Sequence, residues 1–136
     1  MPDFPVPDEG ILLTHFIVSD DVERSRRFYT DVLGFRIKHD IPMGGAAWLT
    51  LVAPDDAGGV ELLLEPTGHP AAVALQQALY KDGIPLAQLY TDDIAAEFAR
   101  LRAKGVVFRD EPKAMGPTKF ADFDDTCGNF IRLVEG

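Results

Sequence analysis

The stretch Asp21–Phe35, DVERSRRFYTDVLGF, has the pattern of an amphipathic helix that ends at a glycine and leads directly into a strand. The Asp21 carboxylate can accept the first free backbone N–H groups of such a helix, and Gly34 suits the left-handed turn that closes it. The side chains that share one helical stripe are Val22, Ser25, Phe28, Tyr29, Val32 and Leu33. The stretch therefore predicts a capped helix with one buried face.

The same pattern occurs again later in the chain. Asp93 opens a second predicted helix, with Ile94, Phe98 and Leu101 on one face, and Gly105 closes it before the next apolar run. A repeated unit of helix and following strand predicts two copies of one structural module.

Apolar and alternating runs around these helices predict the strands. The predicted strands are Ile11–Val18, Phe35–His39, Ala46–Val52, Val60–Glu65, Ile84–Tyr90, Val106–Asp110, Lys119–Phe123 and Phe130–Glu135, and a further helix is predicted over Ala71–Tyr80. We therefore expect an α+β fold of two βαβββ modules that form an open, mixed half-barrel with helices outside and a concave cavity. We expect one domain over 1–136, with an N-terminal arm at 1–10, modules at 11–66 and 84–136, and a helical linker at 67–83.

Composition narrows the class of protein. The chain has 136 residues and a formal net charge of −9, with 13 basic and 22 acidic side chains, which argues against a nucleic-acid partner. Cys127 is the only cysteine, so no intrachain disulfide can form and a cytoplasmic location is expected. Neither a signal peptide nor a membrane-spanning segment is predicted.

Two motifs resemble the vicinal oxygen chelate superfamily, which includes glyoxalase I, bleomycin-resistance proteins and extradiol dioxygenases. The first is DVERS at 21–25 with Phe28-Tyr29 and Leu33-Gly34-Phe35. The second is FDDTCGNFI at 123–131, which is similar to the family ending Phe-x-Asp-Pro-x-Gly-Asn-x-Ile. The resemblance implies the paired-module fold, but it leaves the reaction open because one scaffold hosts many functions.

The metal-dependent members hold a divalent ion at four positions. By resemblance these positions fall on Thr14, on Glu61, near Leu86 with Gln88 as the closest polar residue, and on Arg132. A guanidinium cannot coordinate a cation, so we expect no metal and no cofactor. The weak alternative is a site with His15 and Glu61, which requires a bulge that returns His15 to the cavity; otherwise His15 is expected to be an interior, hydrogen-bonded histidine.

If Glu61 and Arg132 face each other, we expect them to form an ion pair or to share a bound anion. A pair that only stabilises the barrel is the alternative. In an enzyme, Glu61 as general base and Arg132 as electrostatic stabiliser would be the minimal catalytic pair.

Strand parity predicts the cavity wall. Its expected ligand-binding residues are Phe16, Trp48, Thr50, Glu61, Leu63, Gln88, Tyr90, Asp122 and Arg132. A mixed aromatic and polar wall suits an aromatic or an anionic small molecule. His39 and His69 are expected in solvent, and acidic neighbours are expected to raise the pKa of the Cys127 thiol.

These observations predict a metal-independent protein, similar to glyoxalases and bleomycin-resistance proteins, that binds a small organic molecule in the half-barrel. One alternative is a divalent-metal-dependent lyase or isomerase of the glyoxalase I kind, with ligands from a second subunit. The other is a dimeric interaction module whose cavity is filled by its own side chains. The family also implies a homodimer.

Overall fold

The structure is a computed structural model that describes residues 14–42, 44, 47–54 and 60–136. The strands are β1 (Thr14–Ser19), β2 (Arg36–Pro42), β3 (Ala47–Val52), β4 (Glu61–Pro66), β5 (Ala87–Thr91), β6 (Lys113–Met115), β7 (Thr118–Asp124) and β8 (Phe130–Glu135). The helices are α1 (Val22–Arg27), which continues as a π-helical turn over Phe28–Val32, α2 (Pro70–Asp82) and α3 (Ile94–Ala103). No helix in the described ranges is long and apolar enough to cross a membrane.

Each module forms its own open, mixed sheet. The strand orders are β1-β4-β3-β2 and β5-β8-β7-β6, and in each sheet the first pair is parallel while the other two are antiparallel. The two sheets therefore repeat one topology, as the two predicted βαβββ modules require, and the expected α+β fold is confirmed.

The predicted helix caps form in both modules. The Asp21 carboxylate accepts a hydrogen bond from the Arg24 backbone N–H at 3.1 Å, and the Asp93 carboxylate accepts one from Ala96 N–H at 3.1 Å. Gly34 closes the first helix at φ +87°, and Gly105 follows the second at φ +92°. Acidic caps and left-handed glycines thus set the bounds of both helices.

One hydrophobic core joins the two modules. Phe28 and Tyr29 of the π-helical turn lie in the same buried cluster as Phe123 of β7, and the rings of Phe28 and Phe123 are 6.2 Å apart. The side chains of Ile17 and Leu64, on one face of the first sheet, pack into this core. Alternation along a strand turns the neighbouring residues to the opposite side, which is the open face of the sheet.

A buried polar network reinforces the junction between the modules. The Asp125 carboxylate, in the turn between β7 and β8, accepts hydrogen bonds from Tyr29 Oη and Asn129 Nδ2, both at 2.8 Å, and from the backbone N–H groups of Cys127 and Asn129. Burial raises the pKa of Asp125 despite these donors, and burial together with the Asp125 charge raises the pKa of Tyr29. The turn between β7 and β8, which carries the second sequence motif, is thereby hydrogen-bonded to the helical segment of the first module.

The middle of α2 joins the same network. Gln76 is buried, and its Nε2 donates to the Val18 carbonyl at 3.1 Å, the Cys127 carbonyl at 3.0 Å and Asn129 Oδ1 at 3.1 Å. Gly128 has φ +98°, and a Cβ there would lie 2.7 Å from Gln76 Nε2, so the turn needs glycine for two reasons.

Most predicted elements form with small shifts of their ends, and β8 has the predicted bounds. The strand predicted over Val106–Asp110 is wrong: only an isolated bridge joins Phe108 to Phe123, and β6 lies further along the chain. Phe108 lies opposite Phe123 and Lys113 lies opposite Phe120, so five steps along this segment face only three along β7 and the ladder is interrupted between them. The predicted arm at 1–10, the first part of the first predicted strand at 11–13 and the turn at 55–59 lie outside the described residues.

The Cys127 thiol is buried, which is the main reason that its pKa is raised, with the Asp125 charge adding to the shift. The predicted direction is confirmed, although burial contributes more than the acidic neighbours. A buried thiol with a raised pKa is a poor nucleophile.

Candidate ligand-binding cavity

A cavity of about 630 Å³ lies on the open face of the first sheet. Strands β1, β3 and β4 form its wall, and the loop before α2 and the first turn of that helix close one end. The lining residues are Thr14, Phe16, Val18, Trp48, Leu63, Glu65, Pro66, Gly68, His69 and Ala72. Its volume is in the range of small-molecule sites.

Strand alternation places these side chains in the cavity. Thr14, Phe16 and Val18 are alternate residues of β1, and the intervening Ile17 packs into the core. Leu63 and Glu65 alternate in the same way on β4, which is parallel to β1 with Phe16 opposite Leu63. The cavity wall therefore follows from the register of two neighbouring strands.

Phe16, Trp48 and Leu63 are the predicted ligand-binding residues that line this cavity. Phe16 is 48% exposed, so its ring is accessible from the cavity. Their ligand-binding role stays a prediction, but their placement gives the cavity two aromatic side chains.

Thr50 and Glu61 occupy the first sheet without lining the cavity. Thr50 is fully buried, and its Oγ1 has no hydrogen-bond partner among the described residues. Glu61 is buried, and its Oε2 lies 3.4 Å from Lys38 Nζ on β2. A lysine that sequence reasoning missed is therefore the ion-pair partner of Glu61.

The other predicted site residues lie on the second sheet. Arg132 donates two hydrogen bonds to the Asp122 carboxylate, from Nε at 2.8 Å and from Nη2 at 3.0 Å, and its guanidinium lies 4.2 Å from the centre of the Phe120 ring. These hydrogen bonds raise the pKa of Arg132. Gln88 and Tyr90 of β5 are exposed, Tyr90 at 73%.

The expected direct contact between Glu61 and Arg132 is wrong. Lys38 pairs with Glu61 and Asp122 pairs with Arg132, and no ion pair joins Glu61 to Arg132 among the residues that the structure describes. The reason is register, because Asp122 lies directly opposite Arg132 in the antiparallel pair of β7 and β8. Glu61 therefore forms its ion pair within the first sheet, and Arg132 forms its ion pair within the second.

The residues at the four family positions do not fit a divalent cation. Glu61 and Arg132 are held in ion pairs, and the side chains of Thr14 and Gln88 are exposed. Across the described part of the chain, no group of three His, Cys, Asp or Glu residues could hold a metal ion. The nearby lysine and the arginine add positive charge where a cation would need carboxylates.

His15 does not complete such a site. Its pairing with Leu62 belongs to a continuous register from Thr14 to Ser19, so the alternative bulge in β1 is not present. The His15 side chain is exposed and stacks on Phe16 with ring centres 5.9 Å apart. The expected interior position is therefore wrong, because the core covers β1 only from Ile17 onward.

Sequence reasoning missed two polar residues of the cavity, Glu65 and His69. Glu65 has the same strand parity as Leu63, so the sequence contained the information needed to predict that Glu65 lines the cavity. His69 is exposed, as expected, but it is also the cap of α2, where its Nδ1 accepts a hydrogen bond from Ala71 N–H at 3.0 Å. An aromatic cap before a proline has no strong sequence signal, because Ser, Thr, Asp and Asn are the usual caps.

Comparison with known proteins agrees with the fold. Residues 12–133 match the family model of the Glyoxalase/Bleomycin resistance protein/Dioxygenase superfamily. The chain belongs to this superfamily, as its two motifs indicated.

Relatives and solved structures extend this result. The chain is 47% identical over 125 residues to YurT of Bacillus subtilis (strain 168), which covers 92% of this chain and 98% of YurT. It is similar to the crystal structure of UcmS2, with 29% identity, a TM-score of 0.78 and coverage of 92% of this chain and 97% of that one. It is also similar to TnmS3, an antibiotic binding protein from Streptomyces sp. CB03234, with 27% identity, a TM-score of 0.73 and coverage of 93% and 95%.

Proposed function

We propose that this protein binds a small, planar organic molecule in the cavity on the first sheet, without metal coordination. The observation that carries the proposal is the cavity of about 630 Å³ with Phe16 and Trp48 in its wall. Aromatic side chains give flat ligands a large contact area. The similarity to TnmS3, an antibiotic binding protein, supports the same class of function.

The single tryptophan gives a direct test of this proposal. Because Trp48 is the only tryptophan of the chain and lines the cavity, a bound ligand should change the intrinsic fluorescence. Planar aromatic compounds should also raise the melting temperature, since a ligand that binds only the folded state stabilises it. A broad library that changes neither signal would contradict the proposal and would favour the interaction module with a filled cavity.

A pair of variants separates the cavity from the rest of the surface. Phe16 and Ile84 are both 48% exposed, but only Phe16 lines the cavity. Phe16→Ala should weaken binding about tenfold or more, through loss of aromatic contact. Ile84→Ala should leave the affinity unchanged. Equal effects of the two substitutions would place binding elsewhere.

The role of metal can be tested on the same binding signal. Protein treated with EDTA and dialysed should bind its best library compound with unchanged affinity. A loss of binding that Ni²⁺ or Zn²⁺ restores would instead favour the metal-dependent lyase or isomerase. The Glu61–Lys38 and Arg132–Asp122 pairs support the first outcome, because both groups already have charged partners.

The homodimer and the cytoplasmic location stay predictions. Light scattering coupled to gel filtration checks the first, and a mass of one chain would contradict it.

A further inference from the structure

Glu65 differs from the other carboxylate on the same side of β4. Glu61 and Glu65 have the same strand parity, so both project from the open face of the first sheet. Glu61 is buried and paired with Lys38, whereas Glu65 is exposed. Across the described residues, the Glu65 carboxylate has no hydrogen bond or ion pair. An ionised group in a cavity wall without a partner is available to a ligand.

The rest of the lining does not neutralise this charge. The described lining contains no lysine or arginine, and His69 is its other titratable side chain. The His69 side chain is engaged as the cap of α2, where its Nδ1 accepts a hydrogen bond from Ala71 N–H. Glu65 gives the cavity wall a net negative charge.

The cationic groups that could attract an anion are engaged elsewhere. Arg132 is held by two hydrogen bonds to Asp122 on the second sheet, and Lys38 is paired with Glu61. The expectation of an anionic ligand depended on a free Arg132. Without that side chain, the cavity has an aromatic middle and a carboxylate at the end nearest α2.

We propose that Glu65 makes this cavity selective for planar aromatic ligands that carry a protonated amine, with the amine at the α2 end and the ring system against Phe16 and Trp48. This inference rests on the proposed function, since it names the class of ligand for the same site. A protonated amine at this position would make a charge-assisted hydrogen bond to Glu65 while its ring system contacts the two aromatic side chains. Glu65 is thus a residue that determines specificity.

Three tricyclic probes of similar size test the charge preference. They are 9-(aminomethyl)anthracene as the protonated amine, 9-(hydroxymethyl)anthracene as the neutral compound and anthracene-9-carboxylate as the anion, each measured by calorimetry and by Trp48 fluorescence. We expect the wild-type protein to bind the cation about fivefold more tightly than the neutral probe, as for a solvent-exposed ion pair, and the anion most weakly.

Two glutamate variants identify the group responsible. Glu65→Gln should weaken binding of 9-(aminomethyl)anthracene about fivefold and change binding of 9-(hydroxymethyl)anthracene less than twofold. Glu111→Gln makes the same change in net charge at an exposed residue outside the cavity lining, and it should leave all three affinities unchanged. An equal loss in both variants would show that the net charge of the protein, not Glu65, attracts the cation.

The outcomes separate this inference from the proposed function. If 9-(hydroxymethyl)anthracene binds as tightly as 9-(aminomethyl)anthracene and Glu65→Gln changes neither affinity, the specificity assigned to Glu65 is wrong while the binding function stands. If none of the three probes binds to the wild-type protein, this inference is contradicted, and the proposed function is contradicted as well when the broad library changes neither signal.

Discussion

Replacing Tyr29 by phenylalanine tests whether the buried network stabilises the junction between the modules. The substitution removes one oxygen and keeps the ring, which makes edge contacts with Phe28 and Phe35. It deletes the 2.8 Å hydrogen bond from Tyr29 Oη to Asp125 Oδ2, and the Asn129 amide remains as a donor to that oxygen. The loss is therefore close to that of a single buried hydrogen bond.

A hydrogen bond to a charged group contributes about 1.5–3 kcal/mol to stability, so we expect Tyr29→Phe to lower the free energy of unfolding by about 2 kcal/mol. With a urea slope of about 2 kcal/mol/M, the unfolding midpoint should fall by roughly 1 M. The melting temperature should fall by roughly 6–10 °C. Urea titrations followed by circular dichroism measure the first change, and calorimetry measures the second.

Tyr80→Phe is the matched control. Tyr80 Oη also donates to an aspartate, Asp124, but Tyr80 is 40% exposed and its ring stays stacked on Phe130 after the substitution. Water can replace this bond, so the cost should be below about 0.5 kcal/mol. If Tyr29→Phe costs no more than Tyr80→Phe, burial does not strengthen the network and the argument fails.

Two further predictions concern the same turn. Burial raises the pKa of Asp125 in the folded protein above its ordinary value of about 3.9, so the folded state binds the carboxyl proton more tightly than the unfolded state does. The free energy of unfolding of the wild-type protein, relative to that of Asp125→Asn, should therefore fall as pH rises through the raised pKa. Urea titrations of both proteins between pH 4 and pH 7 measure this difference, and a wild-type advantage that grows with pH would contradict the raised pKa. Gly128→Ala should destabilise more than Gly34→Ala by at least about 1 kcal/mol, because both have positive φ but only the Gly128 Cβ would meet Gln76. Equal losses of thermal stability in the two variants would show that Gln76 moves aside without cost.

The sequence predicted the elements that depend on local chemistry. Asp21 and Asp93 cap their helices, Gly34 ends the first helical segment, and the alternation from Phe130 to Glu135 gives β8 its bounds. In each case a short run of residues contains both the hydrophobic period and the signal that ends it. The β6 error arose because Val106–Asp110 has a strand pattern, whereas the ladder with β7 depends on a cross-strand register that this pattern does not contain.

The site was harder to predict because it depends on how strands pair and how the sheets are placed. Strand parity found Phe16, Trp48 and Leu63, which need only the correct face of one sheet. The expected pair of Glu61 and Arg132 required the relative position of two sheets, and no local pattern contains that information. Asp122 lies directly opposite Arg132 on the neighbouring strand, so it forms the ion pair with the guanidinium instead.

The Val18 carbonyl makes the two repeats dependent on each other. Val18 lies in the buried part of β1 in the first repeat, and its oxygen accepts hydrogen bonds from Gln76 of the connecting helix and from Asn129 of the second repeat. A half-length chain ending before α2 would lose both amide donors together with the residues that bury this oxygen. Chains split at the linker should therefore regain structure only when both fragments are mixed.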